Sequence, residues 1–136
     1  MTETPAPTIW PILHYRDARA AIEFLTTAFG FVEVVVIPGE NDPQQVAHAE
    51  FKWPEGGGVM FGSVGHNDGP FANRPSGAAA LYVVTDKPDE LFARAKAAGA
   101  EVVMEPADQP YGSRDFSVLD PEGNMWSFGT YRGEPS

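Results

Sequence analysis

The chain has 136 residues, enough for one compact domain with its own apolar core, and its 43% hydrophobic content is typical of globular proteins. Nineteen acidic residues against nine basic ones give a net charge of −10, which argues against a nucleic-acid partner because phosphate binding needs a basic face. There is no cysteine and no apolar run long enough for a membrane span, and residues 1–8 lack the pattern of a signal peptide. We therefore expect a cytoplasmic protein with no disulfide, no thiolate metal site and no membrane partner.

The first half of the chain predicts a strand, a helix and three further strands. Residues 8–16 alternate as a strand does, and Asp17 follows at the position of a helix N-cap. We expect the helix to end at Gly30, where a glycine can take the left-handed conformation. Three strand-like stretches follow, the last two joined by a turn with the sequence PEGG, at residues 31–37, 46–53 and 58–64.

The second half predicts the same order of elements after a linker, residues 65–77, that is rich in Gly, Pro and Asn. A strand at 78–85 precedes Asp86, the expected N-cap of a helix that ends at Gly99. The apolar stripe of this helix consists of Leu91, Phe92, Ala95 and Ala98. Three more strands are predicted at residues 100–106, 114–120 and 124–131.

The two halves are a sequence repeat. Asp17 and Gly30 are thirteen positions apart, as are Asp86 and Gly99, and both halves contain PEG followed by Phe-Gly on the next strand. A half of this size cannot bury its sheet alone, so two halves that pack around one shared site are expected. The sequence thus predicts one α+β domain made of two βαβββ modules in tandem, residues 8–64 and 78–131, which form a paired, cup-shaped mixed sheet.

Four stretches resemble a known superfamily. They are LHYRDARAAIEFLTTAFGF, HAEF, YVVTDKPDELFARAKAAGAEVV and YGSRDFSVLDPEGNMWSFGTY, and the DPEGN turn before an aromatic strand is the most distinctive piece. The chain resembles the vicinal oxygen chelate superfamily, also called the glyoxalase, bleomycin-resistance and extradiol-dioxygenase superfamily. The resemblance implies a cup of two curled sheets around a ligand. It leaves the reaction open, because members include isomerases, lyases, dioxygenases, antibiotic-modifying transferases and drug-binding proteins.

In the metal-dependent members four ligands line the cup. The resemblance places these positions at Trp10, Met60, Ala80 (or its neighbour Ala79) and Ser127. An indole, a thioether, a methyl and a hydroxyl are a poor set for a divalent cation, which prefers imidazole nitrogen or carboxylate oxygen. We therefore expect no cofactor and no metal, and the metal-dependent chemistry of the superfamily is disfavoured.

One atypical metal site stays open as an alternative. His48 and Glu50 are two apart on a predicted strand and so share a face, where they could act as two metal ligands. A polar face or a hydrogen-bonded pair is the commoner explanation of this spacing. His66 and Asp68 of the linker could add ligands, although solvated side chains are more usual in such a loop.

Eight side chains are predicted to bind a ligand in the cup. Aromatic and methionine side chains suit a planar apolar molecule, although the same residues also suit an ordinary core. His14 could hydrogen-bond the ligand or act as an acid–base, or could be a satisfied histidine of a half-buried strand. Arg114 could bind a carboxylate or pair at the surface with Asp115 or Asp120. The predicted set is Trp10, His14, Met60, Tyr82, Tyr111, Arg114, Met125 and Ser127.

The resulting hypothesis is a homodimer that binds an apolar or aromatic small molecule without a metal, with antibiotic sequestration as the model that bleomycin-resistance proteins offer. The acidic surface would suit a cationic drug. The alternative is a glyoxalase-like lyase or isomerase, or a dioxygenase, that uses the atypical metal site or His14 as acid–base. A third candidate is a subunit that serves association only.

Overall fold

The computed structural model describes residues 6–135, and within them the chain forms two modules with the same order of elements. The first contains β1 (Ile12–Tyr15), α1 (Ala18–Phe24) with a π-helical last turn (Leu25–Phe29), β2 (Val32–Pro38), β3 (Val46–Lys52) and β4 (Gly58–Ser63). The second contains β5 (Ala80–Val84), α2 (Pro88–Ala97), β6 (Glu101–Asp108), β7 (Arg114–Leu119) and β8 (Met125–Gly129). Residues 1–5, which belong to the segment used for the signal-peptide prediction, lie outside the described residues.

Each module builds a four-stranded mixed sheet. The order is β1–β4–β3–β2 in the first and β5–β8–β7–β6 in the second, and in both the first strand pairs in parallel with the last. The registers of these parallel pairs correspond as well. Met60 and Ser127 are equivalent positions just before the repeated Phe-Gly, and they lie opposite Ile12 and Tyr82 on the first strand of each module. The predicted α+β fold of tandem βαβββ modules is confirmed, and the two paired sheets leave an open face on the side away from the helices.

The first helix begins and ends as the sequence predicts. The Asp17 side chain accepts the backbone N–H of Ala20 at 3.0 Å, and Gly30 has the left-handed φ of 84° that closes the helix. A Cβ at Gly30 would also lie 2.7 Å from the guanidinium of Arg94, which would then have to move. That guanidinium donates to the carbonyls at the end of the π-helical turn and so joins α2 to the first module.

Two expected boundaries are wrong. The N-cap of α2 is Lys87, not Asp86, because Pro88 occupies the first helical turn, where its missing N–H costs nothing. The Asp86 carboxylate pairs with Arg132 instead. The first strand begins at Ile12 rather than Thr8, since the backbone of Pro11 has no N–H to donate to a ladder.

The helix sides of both sheets pack into one aromatic core. Phe29 of the first module lies 5.3 Å from Trp126 and 4.7 Å from Phe128 of the second, ring centre to ring centre. Phe31 bridges Trp53 and Trp126 at 5.0 and 5.6 Å. This shared core supports the prediction of a single domain. Within residues 6–135, no helix is both long enough and apolar enough to cross a membrane.

The two PEG turns make reciprocal contacts between the modules. Glu122 accepts the backbone N–H groups of Arg16 at 2.6 Å and Asp17 at 2.8 Å, at the start of α1. In the equivalent contact, Glu55 accepts the backbone N–H of Asp86, just before α2, at 2.9 Å. Each turn therefore binds the strand–helix connection of the other module, which gives the repeated glutamate a structural role.

Asp120, the first residue of the DPEGN turn, is the buried centre of this junction. One carboxylate oxygen accepts the hydroxyl of Tyr15 at 2.7 Å, the side-chain amide of Asn124 at 3.0 Å and the indole N–H of Trp126 at 3.1 Å. Burial, followed by the negative charge of Asp120, raises the pKa of Tyr15, so its hydroxyl stays protonated and donates. The carboxylate thus links β1 to β8.

Replacement of this carboxylate should destabilise the protein strongly. Asp120→Ala leaves three buried donors without an acceptor, so we expect a loss of about 3 kcal/mol or more in the free energy of unfolding, measured by urea denaturation. Tyr15→Phe removes only one donor and should cost about 1 kcal/mol. Equal and small losses for both variants would contradict a central role for Asp120.

Candidate functional site

The open face of each sheet carries the side chains that the core does not use. On the first sheet these include Ile12, which is 54% exposed, and Met60 beside it. On the second they include Tyr82 and Met125, which are 45% and 36% exposed. Large apolar side chains at this exposure are available to a ligand or to a second protein surface.

A cavity of about 320 Å³ lies over the open face of the first sheet. We call it the histidine pocket, because it contains all three histidines of the chain, beside apolar walls. His14 lies opposite Gly62, and a Cβ on that glycine would be in contact with the ring Nε2 of His66, at 3.5 Å, so His14 and His66 lie near the same glycine. The lining residues that matter here are Ile12, His14, His48, Met60, His66 and Phe71.

His14 is the most buried of these imidazoles. It is only 8% exposed, and it also lines a neighbouring cavity together with Arg74. Burial lowers the pKa of His14 below its ordinary value of 6.5, and the positive neighbours His66 and Arg74 lower it further. At neutral pH the ring is therefore uncharged and can both donate and accept a hydrogen bond.

His48 and Glu50, which lie on the same open face as His14, form a hydrogen-bonded pair. A pair of this kind is one of the two explanations that their spacing in the sequence allows. His48 Nε2 and Glu50 Oε2 are 2.8 Å apart, and both side chains are partly exposed. Among residues 6–135, no three His, Asp or Glu side chains come together at metal-binding spacing. The two predicted ligands therefore have no third partner within the described part of the chain, and His66 contacts Asn67 rather than a carboxylate.

A second cavity, of about 250 Å³, lies over the open face of the second sheet. We call it the tyrosine pocket. The hydroxyls of Ser117 and Ser127 form a hydrogen bond of 2.6 Å across its floor, and the phenol of Tyr111 donates to Asp115 at 2.8 Å. Its main lining residues are Tyr82, Met104, Tyr111, Asp115, Ser117 and Ser127.

Asp115 is the site residue that sequence reasoning missed. It is considered there only as a surface partner of Arg114, yet it is 5% exposed and faces the tyrosine pocket. The available signal was its position: it lies opposite Gly129, on the same face as Ser117 and Ser127. A carboxylate on the open side of a sheet is a stronger indication of function than the same residue in a loop.

The structure places the remaining predicted residues outside both pockets. Arg114 pairs with Asp89 at 2.8 Å and Asp108 at 3.3 Å, so the expected partners Asp115 and Asp120 are wrong. The ring of Trp10 covers Gly58, and Lys52 Nζ lies 4.8 Å from its centre. Five of the eight predicted residues thus line the two pockets, and contact of the eight with a ligand stays a prediction.

Comparison with known proteins agrees with the fold. Residues 10–128 match the family described as the Glyoxalase/Bleomycin resistance protein/Dioxygenase superfamily. An uncharacterized protein of Mycobacterium bovis is 34% identical over 128 residues, which cover 90% of this chain and 82% of that protein. Among solved structures, TioX from Micromonospora sp. ML1 is 29% identical with a TM-score of 0.73, covering 90% of this chain and 98% of its own. A glyoxalase/bleomycin resistance protein/dioxygenase from Nocardioides is 26% identical with a TM-score of 0.64, covering 98% and 91%.

The lowered pKa of His14 predicts a specific dependence of stability on pH. Because the unfolded chain binds a proton at His14 more readily than the folded one, this residue's contribution is present above its ordinary pKa and lost as the pH falls through the lower folded value. His14→Gln should reduce the loss of unfolding free energy between about pH 8 and about pH 5, measured by urea denaturation. An unchanged pH profile would contradict the assignment, since His48, His66, Glu50 and Arg74 remain in the variant.

Proposed function

The chain belongs to the Glyoxalase/Bleomycin resistance protein/Dioxygenase superfamily, and on that premise we propose that it binds an apolar or aromatic small molecule without a metal ion. Sequestration of an antibiotic, the role that the name of the bleomycin-resistance branch suggests, is the biological form we favour. The proposal concerns the open faces of the two sheets, where superfamily members hold their ligands.

The observation that carries the proposal is the chemistry of the four positions where relatives place metal ligands. Here these are Trp10, Met60, Ala80 and Ser127, of which only the serine offers oxygen, and its hydroxyl is already bonded to Ser117. Met60 lines the histidine pocket and Ser127 the tyrosine pocket. Polarizable and aromatic surfaces with few polar atoms suit a planar organic molecule better than a cation.

We also propose that the working form is a homodimer. The two pockets, at about 320 and 250 Å³, are each at or below the lower end of the usual range for ligand sites. Both open faces keep large apolar side chains exposed, among them Ile12 and Tyr82. A second chain laid over these faces would bury that surface and complete a deeper cavity.

A second candidate function follows from His14. This buried imidazole is neutral and borders two cavities, which suits a general acid–base in a metal-independent isomerase or lyase. In that case His14→Gln should abolish turnover of a substrate that the variant still binds. Retained turnover in the variant would contradict a role of His14 as the general acid–base.

The binding proposal is tested with acridine, a planar aromatic molecule that is neutral near pH 8, by its own fluorescence. We expect saturable binding that survives dialysis against EDTA. Loss of a stacking partner in Tyr82→Ala should weaken binding about 3- to 10-fold. Val103→Ala, which removes an exposed apolar side chain outside both pockets, should leave binding unchanged.

Two outcomes would contradict this proposal. Elemental analysis that finds about one tightly held divalent metal per chain, in protein purified without chelator, would contradict metal-independent binding. Failure of acridine and of a wider panel of planar aromatic compounds to raise Tm would favour association alone, because a ligand at 100 times its Kd adds about 2.7 kcal/mol.

The dimer is tested by sedimentation velocity. Ile12→Glu places a charge on β1, at the first open face, and should shift the protein from dimer to monomer. Ala93→Glu adds the same charge on the exposed side of α2 and should leave the dimer intact. A wild-type chain that sediments as a monomer across the accessible concentration range would refute the dimer.

A further inference from the structure

The carboxylate of Asp115 is only half satisfied. Its Oδ2 accepts the Tyr111 hydroxyl at 2.8 Å, whereas its Oδ1 is buried and has no hydrogen-bond partner. Among the described residues no other buried side-chain nitrogen or oxygen lacks a partner. A buried charged oxygen without a donor is costly, and such an atom calls for an explanation in function.

The surroundings of this carboxylate contain no positive charge to compensate it. No Lys, Arg or His lines the tyrosine pocket, and the neighbouring Arg114 is committed to Asp89 and Asp108. The hydrogen bond to Asp115 raises the pKa of Tyr111, as expected for a phenol that donates to an anion. The pocket therefore holds one carboxylate and no cationic side chain that compensates it.

Aromatic rings surround the same carboxylate. A Cβ on Gly129 would lie 2.6 Å from the Asp115 Cβ and 2.8 Å from the Tyr82 hydroxyl. Because position 129 has no side chain, the Tyr82 side chain can extend across β8 toward Asp115. Tyr82 then donates to the carbonyl of Tyr131, whose ring lies 5.8 Å from that of Tyr111. A cation held at the carboxylate would lie near these tyrosines, and the faces of phenol rings attract cations.

We propose that Oδ1 of Asp115 accepts a hydrogen bond from a protonated amine or a comparable cationic N–H group on the aromatic ligand. The assignment rests on the proposed binding function and narrows its ligand class to cationic aromatic molecules. Asp115 supplies the charge, and the tyrosines supply the apolar and aromatic contact. The overall charge of −10 would bring such a ligand to the surface but cannot select one site for it.

The test compares 9-aminoacridine, which is cationic with N–H donors near pH 8, with neutral acridine, both followed by fluorescence. The wild-type protein should prefer the cation by roughly tenfold or more. Asp115→Asn should abolish that preference while it keeps the shape of the side chain and the bond from Tyr111. Glu105→Gln, which removes one negative charge from an exposed residue of β6, is the matched control and should keep the preference.

The outcomes separate this assignment from the function on which it rests. Equal binding of both acridines to the wild type, or a preference for the cation that survives in Asp115→Asn, would overturn the assignment and leave the binding function standing. If neither compound binds, the binding function fails and the assignment fails with it. If Glu105→Gln loses the preference for the cationic acridine as fully as Asp115→Asn does, the preference reflects the net charge alone. That result would also overturn the assignment of Asp115.

Thermal unfolding without ligand provides an independent measurement. If Oδ1 is reserved for a ligand, Asp115→Asn removes an unpartnered anionic oxygen and should unfold at the same Tm as the wild type or at a higher one. A clearly lower Tm would show that the carboxylate has a structural role in the free protein, and the assignment would then be wrong.

Discussion

The fold depends on the carboxylates of the DPEGN turn. Asp120 is buried and holds three side-chain donors, one of which, Tyr15, belongs to the other module. Glu122, two positions on, binds the backbone N–H groups at the start of α1. A buried anion is tolerated only where its acceptor sites are filled, so the turn fixes both the distance and the angle between the two halves.

This junction decides which surfaces remain for a ligand. The PEG turn of the first module makes the equivalent contacts with the second module. Glu55 accepts the backbone N–H of Asp86 before α2, and the indole N–H of Trp53 donates to the carbonyl of Val84 at 2.8 Å. Both turns hold the helix sides of the two sheets in contact. The large aromatic side chains therefore pack into one core on that side. The open faces then keep the partly exposed apolar and polar side chains, and glycine at 62 and 129 leaves room above each sheet.

The sequence predicts local structure well where one residue controls it. Asp17 and Gly30 mark the first helix because a cap and a left-handed glycine act within a few residues. Asp86 is not the cap of α2, because Pro88 sets the start of the helix one residue later, with Lys87 as its N-cap. The repeat revealed both modules, but the roles of Glu55, Asp120 and Asp115 depend on residues far away in the chain, which no periodicity in one sequence can report.

The two modules match in topology and differ in chemistry at equivalent positions. Gly62 has His14 opposite it on the parallel strand, whereas Gly129 has Val84 there and Asp115 on its other side. One open face thus offers the neutral imidazole of His14, and the other offers a carboxylate beside tyrosine hydroxyls. In the proposed dimer, where such faces meet, a cavity with unlike walls would orient a ligand that carries a cation at one end and hydrogen-bonding groups at the other. The two repeated modules would thus form the two walls of the cavity, and the residues that differ between them would fix the orientation of the ligand.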